Sequence, residues 1–112
     1  MINKKNIKYP SVQFLVSTKD SSKTIENLLY SLSKIKYSNF SVLFADGNSK
    51  DDTLIKILKY KSKFDFDLVS KKDKGIYDAW NKLIKYSESE WICFIGSDDI
   101  VIPKDIDEFL FY

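Results

Sequence analysis

The chain has 112 residues, of which 44% are hydrophobic and 30% charged. That composition excludes a disordered chain and fits one domain, with about two-thirds of the extended-chain surface available for burial. A net charge of only +2 argues against a polyanion binder, so no nucleic-acid partner is expected.

The first element is the apolar run SVQFLVS, from Ser11 to Ser17, which reads as a strand. Ile25, Leu28, Leu29 and Leu32 then recur at helical spacing, with Ser21 or Ser22 as the candidate cap. FSVLFA, from Phe40 to Ala45, is a second strand. The turn DGNSKDDT follows it, with Gly47 and Asn48 both tolerant of positive φ. Ser49 and Asp51 are candidate caps for a second helix whose stripe is Leu54, Ile55, Ile57 and Leu58. FDLVS, from Phe66 to Ser70, is a third strand. After the charged loop KKDKG, the residues Ile76, Ala79, Trp80, Leu83 and Ile84 line a third helix face. WICFI, from Trp91 to Ile95, is the fourth strand, and Pro103 precedes a stretch that can start another helix. Alternating strands and helices predict an α/β fold: a Rossmann-like open parallel sheet of about four strands with helices on both faces. Near-continuous apolar strands agree, because parallel strands are buried on both sides.

Every cation of the chain is Lys, and Arg and His are absent. Any phosphate must therefore be held by Lys, by backbone N–H groups or through a metal. The one cysteine, Cys93, cannot close an internal disulfide, and its apolar run predicts a buried, inert thiol. No stretch approaches the ~20 apolar residues of a membrane span. The N-terminal MINKKNIKY lacks a signal-peptide core, so a cytoplasmic protein is expected.

In open parallel sheets, ligands bind beyond the carboxyl ends of the strands. Here three of the four strand ends carry acid: Asp20 after the first, Asp46 after the second, Asp98 and Asp99 after the fourth. Adjacent carboxylates repel unless something positive intervenes. With no His, a hard oxygen-ligated cation such as Mg²⁺ or Mn²⁺ is favoured over zinc. The expectation is one rim gathering Asp46, Asp98 and Asp99, so that the ion bridges them to a pyrophosphate. Taken singly, SDD reads as a solvated turn and Asp46 as a turn former; one shared edge makes them persuasive.

The stretches SVQFLVSTKDSSKTIENLLYSL, VLFADGNSKDDT, KDKGIYDAWNKLI and WICFIGSDD occur in that order. Together they resemble the N-terminal nucleotide-sugar-binding half of family 2 glycosyltransferases of the GT-A fold. The resemblance implies a nucleotide-diphosphate sugar donor and an inverting, metal-dependent transfer to a sugar or glycolipid acceptor. It implies donor contacts from Thr18, Asp20, Asp46, Gly75, Asp78, Asn81 and Asp98, and metal contacts from Asp98 and Asp99. Without it, Asp78 and Asn81 read as a water-facing helix surface. Lys19 and Gly96 depart from the family pattern, which has an aromatic residue and an Asp or Asn there. The general base and acceptor elements would lie beyond Tyr112, so residues 1–112 read as a single, truncated domain with no catalytic base.

Two other readings remain. A phospho-acceptor receiver-like domain wants an Asp closing the third strand, where this chain has LVSKK. A non-catalytic nucleotide-binding remnant or partner-binding fragment also fits, since a last strand at the sheet edge leaves apolar surface for self-association or another chain.

Overall fold

The computed structural model describes residues 10–70 and 89–111, with side chains described through Asp107 in the last helix. The elements run β1 (Val12–Thr18), α1 (Ile25–Leu32), β2 (Phe40–Asp46), α2 (Thr53–Leu58), β3 (Phe66–Ser70), β4 (Trp91–Gly96) and α3 (Pro103–Phe111). The strands form one sheet in the order β3-β2-β1-β4, and every pairing is parallel. The four-stranded open parallel sheet read from the sequence is therefore present. The helix expected around Ile76–Ile84 lies outside the described residues.

Strand alternation sets two faces. On one, Val12, Phe14, Val16, Val42, Phe44 and Phe66 join Ile25, Leu28, Leu29 and Leu32 of α1 and Ile57 of α2 in the main core. Ile106 of α3 packs against the same cluster, so the described helices share this face. The opposite face buries Leu15, Leu43 and Ala45. No helix among the described residues is long and apolar enough to cross a membrane.

Local details differ from the sequence reading. The N-cap of α1 is Thr24, without a side-chain capping bond, and that of α2 is Asp52. Ser21 serves α1 instead through its carbonyl, which accepts from the N–H groups of Thr24 and Ile25. Of the four apolar positions in α2, only Ile57 is buried; Ile55 and Leu58 face water. A six-residue helix has one buried line, and Thr53 takes the other inward place. Cys93 is exposed, not buried, because β4 is an edge strand. Partial burial of its sulfur raises the thiol pKa all the same, which keeps it protonated. Asp107 of α3 accepts from the backbone N–H groups of Lys36 and Tyr37 and ties α3 to the chain after α1.

Candidate functional site

All four strands run the same way, so β1, β2 and β4 end on one rim. The β1–β2 register sets Thr18 beside Asp46. The Thr18 hydroxyl donates to Asp46 Oδ1 at 2.6 Å. Ser49 closes the other side: its hydroxyl donates to Oδ1 at 2.6 Å and its backbone N–H to Oδ2 at 2.7 Å. Asp46 is only 1% exposed, and three donors satisfy a charge that would otherwise be costly to bury.

Around this clasp the loops after β1 and β2 are sewn together. Lys19 Nζ donates to the carbonyl of Gly47 at 2.8 Å. Asp20 adopts φ 46°, and its Oδ1 accepts from the N–H of Lys50 at 2.6 Å. The N–H of Asp20 donates to Ser49 Oγ at 2.8 Å, so Ser49 serves both loops. Asn48, at φ 66°, makes the expected left-handed turn. Asp51 accepts from the hydroxyl and N–H of Thr53, and these bonds, the hydroxyl first, hold its carboxyl below the ordinary value.

The loop after β4 is tied in through one residue. Ser21 donates its N–H to Thr53 Oγ1 at 2.8 Å and its hydroxyl to Ser97 Oγ at 3.0 Å. Ser21 thus joins the ends of β1, β2 and β4. The Asp99 N–H donates to the Gly96 carbonyl at 3.0 Å, and Asp99 Oδ2 accepts from the Gly96 N–H at 2.8 Å. A Cβ placed on Gly96 would stand 3.0 Å from both Asp98 Oδ1 and Asp99 Oδ2. The glycine therefore leaves the space into which both carboxylates turn. Asp98 is exposed, and among the described residues its carboxylate has no hydrogen-bond or ion-pair partner.

The sequence-derived residues thus fall into two groups. Thr18, Asp20 and Asp46 are brought together, but their side chains are engaged in holding the rim. Asp98 and Asp99 converge over Gly96 and retain oxygen atoms for an outside partner. One ion bridging all three of Asp46, Asp98 and Asp99 is not what forms: no group of three or more acidic, His or Cys side chains among the described residues could hold a metal. Asp46 is already spent on Thr18 and Ser49. Two adjacent carboxylates still fit a hard cation that completes its shell with water and phosphate oxygens. Gly75, Asp78 and Asn81 lie outside the described residues. The sequence offers Ser21 and Ser49 only as candidate helix caps; the cross-links that they and Ser97 make between loops carry no signal until their partners are known.

The family model for glycosyl transferase family 2 matches residues 14–112. The chain is 29% identical over 96 residues to an Escherichia coli UDP-Glc:alpha-D-GlcNAc-diphosphoundecaprenol beta-1,3-glucosyltransferase, covering 86% of this chain and 38% of that protein. It is 29% identical over 91 residues to a Staphylococcus aureus poly-beta-1,6-N-acetyl-D-glucosamine synthase, covering 80% of this chain and 22% of that one. Among solved structures, TarS 1–349 of S. aureus in complex with UDP-GlcNAc superposes with a TM-score of 0.83 at 28% identity, covering 88% of this chain and 30% of TarS 1–349.

Proposed function

Because this chain belongs to glycosyl transferase family 2, we propose that its rim binds the nucleoside diphosphate of a sugar donor, as the donor half of an inverting, metal-dependent glycosyltransferase. The observation that carries the reading is the pair of carboxylates converging over Gly96 at the end of β4, on a rim already locked by the Thr18–Asp46–Ser49 clasp. Uridine is the favoured base: the E. coli relative is named for UDP-glucose, and the TarS structure holds UDP-GlcNAc. The acceptor class is a sugar or a lipid-linked sugar, as in the name of the E. coli protein.

In this reading the clasp shapes the floor under the nucleotide, and Asp20 and Lys19 fix the loops that flank it. Asp98 and Asp99 would hold Mg²⁺ or Mn²⁺. The bound ion would neutralise charge on the departing diphosphate. The acceptor hydroxyl attacks the anomeric carbon from the face opposite the diphosphate, which inverts the centre. A carboxylate outside this chain takes the proton. Gly75, Asp78 and Asn81 enter as donor contacts on the strength of the sequence resemblance. The single cysteine suits a reducing compartment, and the reading places the chemistry in the cytoplasm.

The chain spans 38% of the E. coli relative and 30% of TarS 1–349. That favours a second reading of the chain taken alone: it binds donor without transferring sugar. Calorimetry with UDP and GDP, with and without Mn²⁺, tests both. Binding of UDP that requires Mn²⁺ and is lost in the Asp98→Asn, Asp99→Asn double variant is expected. A folded chain that binds neither nucleotide, or binds them regardless of metal and of both acids, overturns the proposal. Sugar transfer by the chain alone would overturn the second reading only.

A further inference from the structure

We infer that Ser21 is a positioning residue for the bound cation: acting through Ser97, it holds the turn that carries Asp98 and Asp99 in place against the loops beneath the nucleotide. The inference rests on the donor-half reading. β1 and β4 pair as far as Ser17 and Gly96, and both chains leave the ladder there. Beyond that point strand register no longer fixes where the turn after β4 stands relative to the loop after β1.

The turn is tied to itself at Gly96, whose carbonyl accepts from the Asp99 N–H and whose N–H donates to Asp99 Oδ2. Those bonds set the shape of the turn and not its place. Its place is set from 76 residues away in sequence, where the Ser21 hydroxyl donates to Ser97 Oγ at 3.0 Å. Among the described residues, the stretch from Ser97 to Ile100 makes no other hydrogen bond to the loops after β1 and β2. Adjacent carboxylates repel, so until a cation arrives the charges of Asp98 and Asp99 favour a spread turn. A tether on the residue between Gly96 and Asp98 opposes that drift.

Ser21 suits the task because it is itself held. It is 9% exposed. Its N–H donates to Thr53 Oγ1 at the start of α2, and its carbonyl accepts from the N–H groups of Thr24 and Ile25 at the start of α1. Its Oγ also accepts from the Lys19 N–H at 3.2 Å, so one hydroxyl serves as acceptor and donor. Two helix starts thus fix its backbone while its side chain reaches a third loop. Removing the hydroxyl leaves those backbone bonds in place, and the loss falls on the carboxylate pair. Groups that orient metal ligands from outside the coordination shell typically change metal affinity about 10–100-fold when removed.

Mn²⁺ titrations of UDP binding, followed by calorimetry on residues 1–112, test the inference. In Ser21→Ala the Mn²⁺ concentration that half-saturates UDP binding is expected to rise about tenfold, and excess Mn²⁺ to restore binding. Ser97→Ala breaks the same bond from the other side and is expected to match it. The double variant is expected to lose no more than either single one, because both act through one contact. Ser31→Ala is the control. Ser31 Oγ accepts from the Val101 N–H at 3.2 Å, so it too tethers the segment after β4, but at a residue past the carboxylates. Its Mn²⁺ requirement should stay at the parent's value. A parent-like requirement in Ser21→Ala, a double variant in which the two losses multiply, or an equal rise in Ser31→Ala overturns the inference and leaves the donor reading standing. A parent chain that binds no UDP at any Mn²⁺ concentration overturns both. Should Ser21→Ala not fold, Ser97→Ala decides: a parent-like requirement there overturns the inference.

Discussion

β3 and β4 are the two edges of one sheet, and they end it in different ways. On the β3 side, Phe66 is buried against Phe44, with ring centroids 5.5 Å apart, and against Phe64 at 5.7 Å. Lys61 lies over the Phe66 ring at 4.8 Å. Asp67 and Ser70 put polar groups on the strand itself. On the β4 side, Trp91 and Ile92 stand half in water. The contrast continues along the rim: Asp46, on the β2–β3 side, has three donors, and Asp98, at the end of β4, has no partner among the described residues. Among the described residues, the β3 side is closed by its own side chains, and the β4 side leaves apolar surface and an acid exposed.

If that contrast is right, truncation should hurt on one side and be tolerated on the other. Phe66→Ala opens a cavity in the aromatic cluster and should cost about 3–5 kcal/mol. Ile92→Ala, at a half-exposed edge, should cost under about 1 kcal/mol. Urea unfolding of both variants measures the gap. Comparable losses would mean that β4 is as fully packed as β3, and the contrast would collapse.

The rim gives the next largest effect. Asp46→Asn turns one acceptor of the clasp into a donor facing donors already there. A loss of about 1–3 kcal/mol is expected, the cost of leaving buried groups unsatisfied. Asp98→Asn should leave the unfolding midpoint unchanged and remove metal-dependent nucleotide binding. Thermal unfolding and calorimetry on the same two proteins separate a residue that holds the site together from one that faces the ligand.

How much of this the sequence discloses follows the same divide. All four strands are legible as short apolar runs, because a buried parallel strand admits little else. Their ends shift by a residue, as with Thr18 and Asp46, where polar side chains still sit in the ladder. Burial is not legible from an apolar run alone: the run around Cys93 resembles that around Leu15, yet Cys93 is exposed and Leu15 is fully buried. The difference is strand order, which pattern alone does not carry. Ile55 and Leu58 misled for a related reason, since a helix of six residues is too short for its period to fix which face is wet. At the site, the acids were legible as residues at strand ends. That Asp46 is consumed by Thr18 and Ser49, and Asp98 is not, depends on register and on loop–loop hydrogen bonds.

Gly96 offers a finer probe of the open side. A methyl group there would meet Asp98 Oδ1 and Asp99 Oδ2 at 3.0 Å. Both are the ends of mobile side chains, so Gly96→Ala should shift stability by under about 1 kcal/mol. The carboxylates must give way, however, and Asp99 would lose its hold on the residue-96 N–H. A several-fold weakening of Mn²⁺-dependent nucleotide binding is expected by calorimetry. Unaltered metal dependence would show that the convergence over Gly96 has no part in ion binding.

The smallest effect belongs to the closed side and is read through pH. Asp51 accepts from the Thr53 hydroxyl and N–H and from the Ser22 N–H at 3.1 Å, with Lys56 adding a weaker attraction. These hold its folded-state pKa below the ordinary 3.8. A group depressed in this way stabilises the fold above its unfolded pKa, and the contribution fades as pH falls through the folded one. Asp51→Asn should therefore be less stable than the parent at pH 7, and the gap should narrow once pH drops below about 3.8. Paired urea titrations at pH 7 and at successively lower pH would show it. A gap that stays constant with pH would mean that the bonds from Thr53 and Ser22 do not depend on the charge of Asp51. The closed side would then owe its rigidity to neutral hydrogen bonds and packing, not to acids locked beneath its loops.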